Sequence, residues 1–231
     1  MKLSIIIPVY NEKATIFEIL KRIENIQDIQ KQIIIIDDGS NDGSYELINS
    51  FNFLSECKII RHDFNSGKGS CIKTAQTHVT GDIVIIQDAD LEYDPFDYKE
   101  IINAMFENGK KVVYGSRVLN KQRYNQENFI SNFRIFANYI LTLLTNFLFF
   151  QNLTDAHTCY KAFDSKVFKE IKLMEDDFAF CPEITAKVSK LGYKIFEVPI
   201  SYFGRNYSEG KKISFYDGIR AILVLLKYRI F

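Results

Sequence analysis

The 231-residue sequence has no tryptophan, four prolines, four cysteines and three histidines. So few prolines, with only eleven glycines, exclude a low-complexity or collagen-like chain. Cys57, Cys71, Cys159 and Cys181 form no CxxC pair and no Cys/His cluster, so the usual zinc-site spacings are absent. A 26.9 kDa chain can bury a core large enough to need no disulfide, and reduced thiols are expected. His62, His78 and His157 make no HExxH pair, and there is no GxSxG elbow. Neither sign of charge dominates: 29 Lys+Arg stand against 29 Asp+Glu, so no global field draws the chain to nucleic acid. The first residues lack the apolar core of a signal peptide, and no stretch reads as a transmembrane span. A cytoplasmic chain is expected.

What the sequence does contain is a regular alternation. Compact β-branched runs at residues 3–9, 32–36, 58–60, 82–86 and 111–114 read as buried strands. Ile16, Ile19, Leu20 and Ile23 recur at helical spacing between the first two. Further helices are predicted to begin near Tyr45, to span 70–78, and to span 97–108 with Gly109 as the stop. This order implies an α/β fold with a mainly parallel sheet flanked by helices.

Acidic clusters follow two of the strands, Asp37-Asp38 and Asp88-Ala89-Asp90. Open parallel sheets bind ligands at the carboxyl ends of their strands, so both clusters point to one site. Asp88 and Asp90, alternate residues of an extended segment, can hold one Mg²⁺ or Mn²⁺, which prefers oxygen ligands and bridges them to a diphosphate. Glu92 has the spacing of a further metal ligand, with a solvated loop residue as the favoured alternative. A P-loop would need glycine at position 62, which is His62; a dinucleotide fingerprint would need it at 72, which is Ile72. The Gly67-Lys68-Gly69 turn therefore either offers backbone amides to an anion or simply enters a helix.

The second half has a different texture. Residues 133–150 carry Arg134 as their one charge, and Arg134, Asn138, Thr142, Thr145 and Asn146 fall mostly three or four apart. One polar stripe opposite Phe and Leu suits an amphipathic helix lying in an interface, with a core helix or a dimer face as the alternative. The apolar run 221–226 is too short to span a membrane and is flanked by Arg220, Lys227 and Arg229.

The ordered set Ser4-Ile-Ile-Ile-Pro-Val-Tyr-Asn-Glu12, Asp37-Asp38-Gly39-Ser40 and Asp88-Ala89-Asp90-Leu91-Glu92 resembles the family-2 glycosyltransferases of GT-A fold. Tyr114-Gly115-Ser116-Arg117, Thr154-Asp155 through Tyr160-Lys161, and Arg205 with Lys211 resemble the branch acting on polyprenyl phosphates. The resemblance implies that Pro8, Tyr10, Glu12 and Asp37 bind the base and ribose of a GDP- or UDP-linked sugar, with Asp38 and Ala89 beside them. It implies that Asp88 and Asp90 hold Mg²⁺ or Mn²⁺ and the diphosphate, with Glu92 as a further candidate. Arg117, Arg205 and Lys211 would meet the diphosphate or the acceptor phosphate, and Asp155 and Glu183 would orient sugar or acceptor.

The expectation is therefore one GT-A domain over 1–231, with about 1–120 for the nucleotide sugar and about 121–231 facing acceptor and membrane. The implied reaction is inverting, metal-dependent transfer of a sugar to a polyprenyl phosphate, by an enzyme peripheral on the cytoplasmic face of a membrane. A family-2 transferase acting on a sugar hydroxyl is the alternative; it would need Asp155 or Glu183 as a base. A membrane-associated binding module with a degenerate site is the non-enzyme alternative.

Overall fold

The computed structural model describes the backbone of residues 1–119, 129–204 and 215–231, and the side chains of 1–119, 135–204 and 216–231. The five predicted strands are all present, as β1 (Lys2–Val9), β2 (Gln30–Asp37), β3 (Glu56–Arg61), β4 (Ile83–Ile86) and β5 (Val112–Ser116). The second half adds β6 (Lys161–Asp164) and β7 (Phe196–Pro199) to the same sheet. Helices among the described residues are α1 (Ile16–Glu24), α2 (Ser44–Ser50), α3 (Lys68–Gln76), α4 (Tyr98–Phe106), α5 (Phe129–Phe149), α6 (Ser165–Glu170), α7 (Phe180–Lys190) and α8 (Phe215–Ile230).

The seven strands lie in the order β3-β2-β1-β4-β6-β5-β7. All pairings are parallel except those of β6, which runs antiparallel to both β4 and β5. The isoleucine runs explain the layering, because alternate residues of a strand face opposite sides. Ile5, Ile7, Ile33, Ile35 and Ile85 pack under α1 and α4, while Ile6, Ile34, Ile36, Val84 and Ile86 pack under α3 and α7. Strands buried on both faces need no polar alternation, and these have none.

A third cluster, centred on Phe149, Ala186, Val224, Leu225 and Tyr228, ties α5, α7 and α8 together. The predicted amphipathic helix is present as α5, and its polar stripe faces the protein. Thr142 and Thr145 are buried, Asn138 donates to Asp155 (3.0 Å), and Asn146 donates to the Leu153 carbonyl (2.8 Å). The side chain of Arg134 lies outside the described residues. The opposite face exposes Phe136, Ile140, Leu143 and Phe147, the last at 78%. This overturns the core-helix alternative for that face. Beside it α8 exposes Ile219, Ile222, Leu223, Leu226 and Ile230. Among the described residues no helix is long and apolar enough to cross a membrane.

The basic residues expected to serve a bilayer are partly engaged within the protein. Arg220 pairs with Asp177 (2.9 Å) and Glu175 (3.4 Å), Lys227 with Glu175 (2.7 Å), and Arg229 lies over the Phe150 ring. An acidic loop after α6 supplies the carboxylate partners, Glu175 and Asp177.

That loop also presses on the turn entering α3. A Cβ at Gly69 would lie 2.2 Å from the Glu175 carbonyl oxygen, and one at Gly67, where φ is +96°, 2.5 Å from that of Asp176. Backbone atoms cannot swing aside, so Gly69→Ala is expected to cost about 1–3 kcal/mol of stability. A lower urea midpoint at unchanged m-value is the expected reading.

Candidate active site

Strand polarity assembles the site. β1, β2, β4 and β5 run in one direction, so their carboxyl ends share one edge of the sheet. β6 runs the other way, so its start, at Lys161, reaches that same edge and brings residues 155–160 with it. Pro8 lies at the end of β1 and Tyr10 and Glu12 just after it, Asp37 ends β2 and Asp38 follows it, Asp88, Ala89 and Asp90 follow β4, and Arg117 follows β5. The turns after β1 and β2 are laced together: Asn11 N–H donates to Ser40 Oγ (3.0 Å), Glu12 N–H to Ser44 Oγ (2.9 Å), and Asn41 N–H to Asn11 Oδ1 (2.9 Å). Asn11 takes φ of +50°, a left-handed conformation that asparagine tolerates.

Each acid has its own partner. Asp37 is fully buried; its Oδ2 faces Arg61 Nε at 3.3 Å, while no donor among the described residues reaches its Oδ1. A buried acceptor left open in this way suits a ligand hydroxyl or N–H. Asp38 is spoken for. It accepts from Ser66 N–H (3.0 Å) and Gly67 N–H (2.7 Å), and His62 Nδ1 lies 2.7 Å away. The amides of the Gly67 turn thus bind an anion from the protein itself. His62 Nε2 meets Thr74 Oγ1 at 2.9 Å. The Asp38, His62 and Cys71 ligand atoms lie within 4.8 Å of one another, but this trio reads as a hydrogen-bonded buttress because both ring nitrogens are engaged.

Asp88 and Asp90 are steadied from behind. Buried Gln87 donates from its backbone to the Ile6 carbonyl (2.9 Å), and its Oε1 accepts from Tyr98 (2.6 Å) and Tyr160 (2.5 Å). Asp90 Oδ1 accepts from Glu92 N–H at 3.1 Å. Glu92 itself is buried and accepts from the Tyr202 hydroxyl at 2.8 Å, which ties its carboxylate to the segment after β7. Lys68 places its ammonium on Asp88 Oδ1, within 3.4 Å of Cys159 Sγ. Two carboxylates on alternate residues, with a cation already drawn to one, form a donor set that fits a hard divalent ion.

Arg117 and Asp155 form a buried pair. Arg117 Nε and Nη2 donate to the two Asp155 oxygens at 2.7 and 2.8 Å, its backbone N–H adds a third bond at 3.1 Å, and its guanidinium lies over the Tyr202 ring. Burial, the largest influence on Asp155, would raise its pKa; the Arg117 charge and the hydrogen bonds outweigh it and hold the carboxyl well below the usual range. Glu197 underpins the pair by accepting from the Thr154 and Asp155 amides at 2.7 and 2.9 Å. Glu183, expected near the acceptor, instead accepts from the Met174 and Glu175 amides (2.6 and 2.9 Å), Lys187 (2.7 Å) and Tyr228 (2.9 Å). It binds the loop after α6 to α7 and α8. Arg205 and Lys211 lie outside the described residues.

The structure adds Lys68, Gln87 and Glu197, which sequence reasoning does not mark as site residues. The Gly-Lys-Gly turn is a usable signal for Lys68; Gln87, abutting Asp88, carries a weak one; Glu197 carries none.

The profile described as glycosyl transferase family 2 matches residues 4–172, and the chain belongs to that family. A dolichol-phosphate mannosyltransferase of Pyrococcus furiosus is 27% identical over 99% of this chain and 64% of its own length. The chain thus spans less than two thirds of that relative. A dolichyl-phosphate β-glucosyltransferase of Trichomonas vaginalis is 27% identical over 99% of this chain and 73% of its own. These names match the polyprenyl-phosphate branch that the motifs resemble. Among solved structures, glucosyl-3-phosphoglycerate synthase of Mycobacterium tuberculosis, in complex with Mg²⁺ and UDP, superposes with a TM-score of 0.70 at 16% identity, over 98% of this chain and 79% of its own. A mannosyltransferase of Pyrobaculum calidifontis, in complex with GDP-Man and Mn²⁺, gives 0.59 at 18%, over 85% and 54%. The fold is GT-A, as expected.

His157, in the segment that β6 brings to the site, has a buried Nε2 without a partner among the described residues. Burial first, then the charges of Lys161 and Arg117, push its pKa down to about 3. The folded state therefore stays unprotonated where the unfolded chain, with a histidine pKa near 6.5, binds a proton. Its contribution is intact above pH 6.5 and is lost as pH falls toward 3, by at most about 1.4 kcal/mol per pH unit. Thermal midpoints from pH 6.5 to 5 are expected to fall more steeply in the wild type than in His157→Gln.

Proposed function

We propose that this chain transfers a sugar from a GDP- or UDP-linked donor to a polyprenyl phosphate, with inversion, in the presence of Mg²⁺ or Mn²⁺. The observation carrying the reading is the meeting, at one sheet edge, of the acidic ends of β2 and β4 with Arg117, in a protein that also exposes the apolar faces of α5 and α8. The names of the curated relatives support the acceptor class.

In this reading Pro8, Tyr10, Glu12 and Asp37 receive the nucleoside, and the open Oδ1 of Asp37 accepts from it. Asp88 and Asp90 hold the metal, which when bound neutralises the departing diphosphate. Arg117, fixed by Asp155, offers a donor array of set orientation to phosphate. Arg205 and Lys211 complete the anion site, on residues 121–231, the acceptor half; residues 1–120 form the donor half. An ionised phosphate acceptor attacks without a general base, and the carboxylates of Asp155 and Glu183 are both engaged with cations. That engagement disfavours a sugar-hydroxyl acceptor. Catalysis reduces to positioning and charge neutralisation.

Asp90→Asn is expected to cut turnover at least about 100-fold with the fold intact. The measurement is nucleoside diphosphate release from a panel of GDP- and UDP-sugars with a short polyprenyl phosphate. Activity undiminished in EDTA would sink the metal assignment, and inactivity with every acceptor phosphate would sink the reaction.

In the same reading the chain is peripheral on a bilayer, on its cytoplasmic side, where the acceptor phosphate lies at the surface, and the exposed apolar faces of α5 and α8 support that attachment. Apolar side chains dominate this attachment. Each one fully buried is worth about 1.5–3 kcal/mol, against about 1 kcal/mol per basic residue, and Arg220 and Lys227 are already paired. Phe147→Glu is expected to keep the wild-type melting temperature and to lose most co-sedimentation with neutral and anionic liposomes alike. Loss of the fold, or unchanged sedimentation, would show that this face serves another purpose.

A further inference from the structure

Lys68 is held in place more tightly than an ordinary helix-entry lysine requires. The turn before it is fixed by Asp38, which accepts from the Ser66 and Gly67 amides, and by Ser70 N–H, which donates to the Asp176 carbonyl at 2.9 Å. Gly67 and Gly69, on either side, press against the backbone at Glu175 and Asp176, where no Cβ fits. From this turn the lysine side chain, 11% exposed, passes near the Phe180 ring and Cys159 and ends on Asp88 Oδ1. A long, flexible cation is thus immobilised on a carboxylate at the end of β4.

That carboxylate is one that the proposed function gives to a metal, and the inference rests on that reading of the β4 end. An ammonium and a divalent ion cannot share one carboxylate oxygen, because like charges at contact distance repel strongly in a half-buried site. An incoming nucleoside diphosphate supplies negative charge for whichever cation is displaced. We propose that Lys68 is a displaceable counter-ion: it neutralises Asp88 in the empty protein, yields Asp88 to the metal, and turns to a diphosphate oxygen of the donor. Metal and nucleotide then bind as a coupled pair. The metal alone must displace Lys68 with nothing to receive it, whereas with diphosphate present the displaced ammonium gains a partner. By linkage each ligand tightens the other by the same factor. The device also keeps Asp88 from attracting stray divalent ions before a donor arrives.

The test is Mn²⁺ binding to the whole chain, followed by the free-ion EPR signal, with and without saturating GDP or UDP and with no acceptor. In the wild type the nucleotide that binds is expected to tighten Mn²⁺ at least about tenfold. In Lys68→Met, Mn²⁺ alone is expected to bind several-fold more tightly, while nucleotide binding weakens and the coupling factor falls several-fold, to what direct attraction between metal and diphosphate supplies. Lys68→Arg, which keeps the charge, is expected to retain much of the coupling. Wild-type protein that binds Mn²⁺ and nucleotide independently overturns the counter-ion role together with the metal–diphosphate contact of the proposed function, and this measurement does not depend on any variant folding. Unchanged Mn²⁺ affinity and coupling in Lys68→Met overturn the counter-ion role while leaving the proposed function standing. Wild-type protein that binds neither Mn²⁺ nor either nucleotide overturns the metal–nucleotide reading of the site itself.

Discussion

The structure depends on the crowding of carboxylates at one edge of its sheet. Asp37, Asp38, Asp90, Glu92 and Asp155 are buried there, with Asp88 beside them. Two like charges 4 Å apart repel by about 4 kcal/mol at an effective dielectric of about 20, so such a cluster survives only if each member is answered. Arg61 faces Asp37, His62 and two turn amides hold Asp38, Lys68 meets Asp88, and Arg117 clamps Asp155. Removing one partner of a buried pair commonly costs about 3–5 kcal/mol. The same pairing shapes the chemistry. At this edge Arg61, Lys68 and Arg117 are each already committed to a carboxylate, so an anionic donor meets cations that have partners. On the proposed reading, this is why the donor must come with a metal.

The antiparallel strand β6 is the topological device that completes the site. A wholly parallel sheet would deliver only residues that follow strands. By reversing one strand between β4 and β5, the chain delivers residues that precede a strand, and Asp155 comes within bidentate reach of Arg117, 38 residues away in sequence. Tyr160, next to the start of β6, reaches Gln87 and so steadies the Asp88–Asp90 segment from the far side. The two halves of the chain are therefore joined in one sheet and meet at one edge.

Much of this was legible in the sequence. Isoleucine runs ended by Asp-Asp and Asp-Ala-Asp predict strands and a shared site, because short β-branched runs have few other homes. What was not legible depends on partners distant in the chain. Asp38 reads as a ligand-facing acid, and nothing local shows that the amides of Ser66 and Gly67 will close on it. Glu183 reads as a site carboxylate, yet four donors from the loop after α6, α7 and α8 enclose it. The strands β6 (KAFD) and β7 (FEVP) hold no run of β-branched residues, so unlike the equally short β4 (IVII) they do not stand out. Arg220 and Lys227 read as a free basic patch because their shared acidic partner, Glu175, lies 45 and 52 residues upstream.

Helix α5 shows the same limit in its sharpest form, since a hydrophobic pattern defines two faces but not which of them turns inward. The inward face is set by unmet hydrogen-bonding needs on the segment that precedes β6. Asn146 exchanges hydrogen bonds with the Leu153 backbone in both directions (2.8 Å each), Thr142 accepts from Ala156 N–H (3.2 Å), and Asn138 donates to Asp155. A buried backbone group without a partner costs about 1–3 kcal/mol, so several such bonds can hold the polar stripe inward. Phe136, Ile140, Leu143 and Phe147 are then forced outward by helical geometry, whatever their own preference for burial. The interactions that fix Asp155 beside Arg117 are therefore the ones that turn an apolar face to the outside. Site geometry and surface chemistry follow from the orientation of a single helix, and a change to its polar stripe must disturb both.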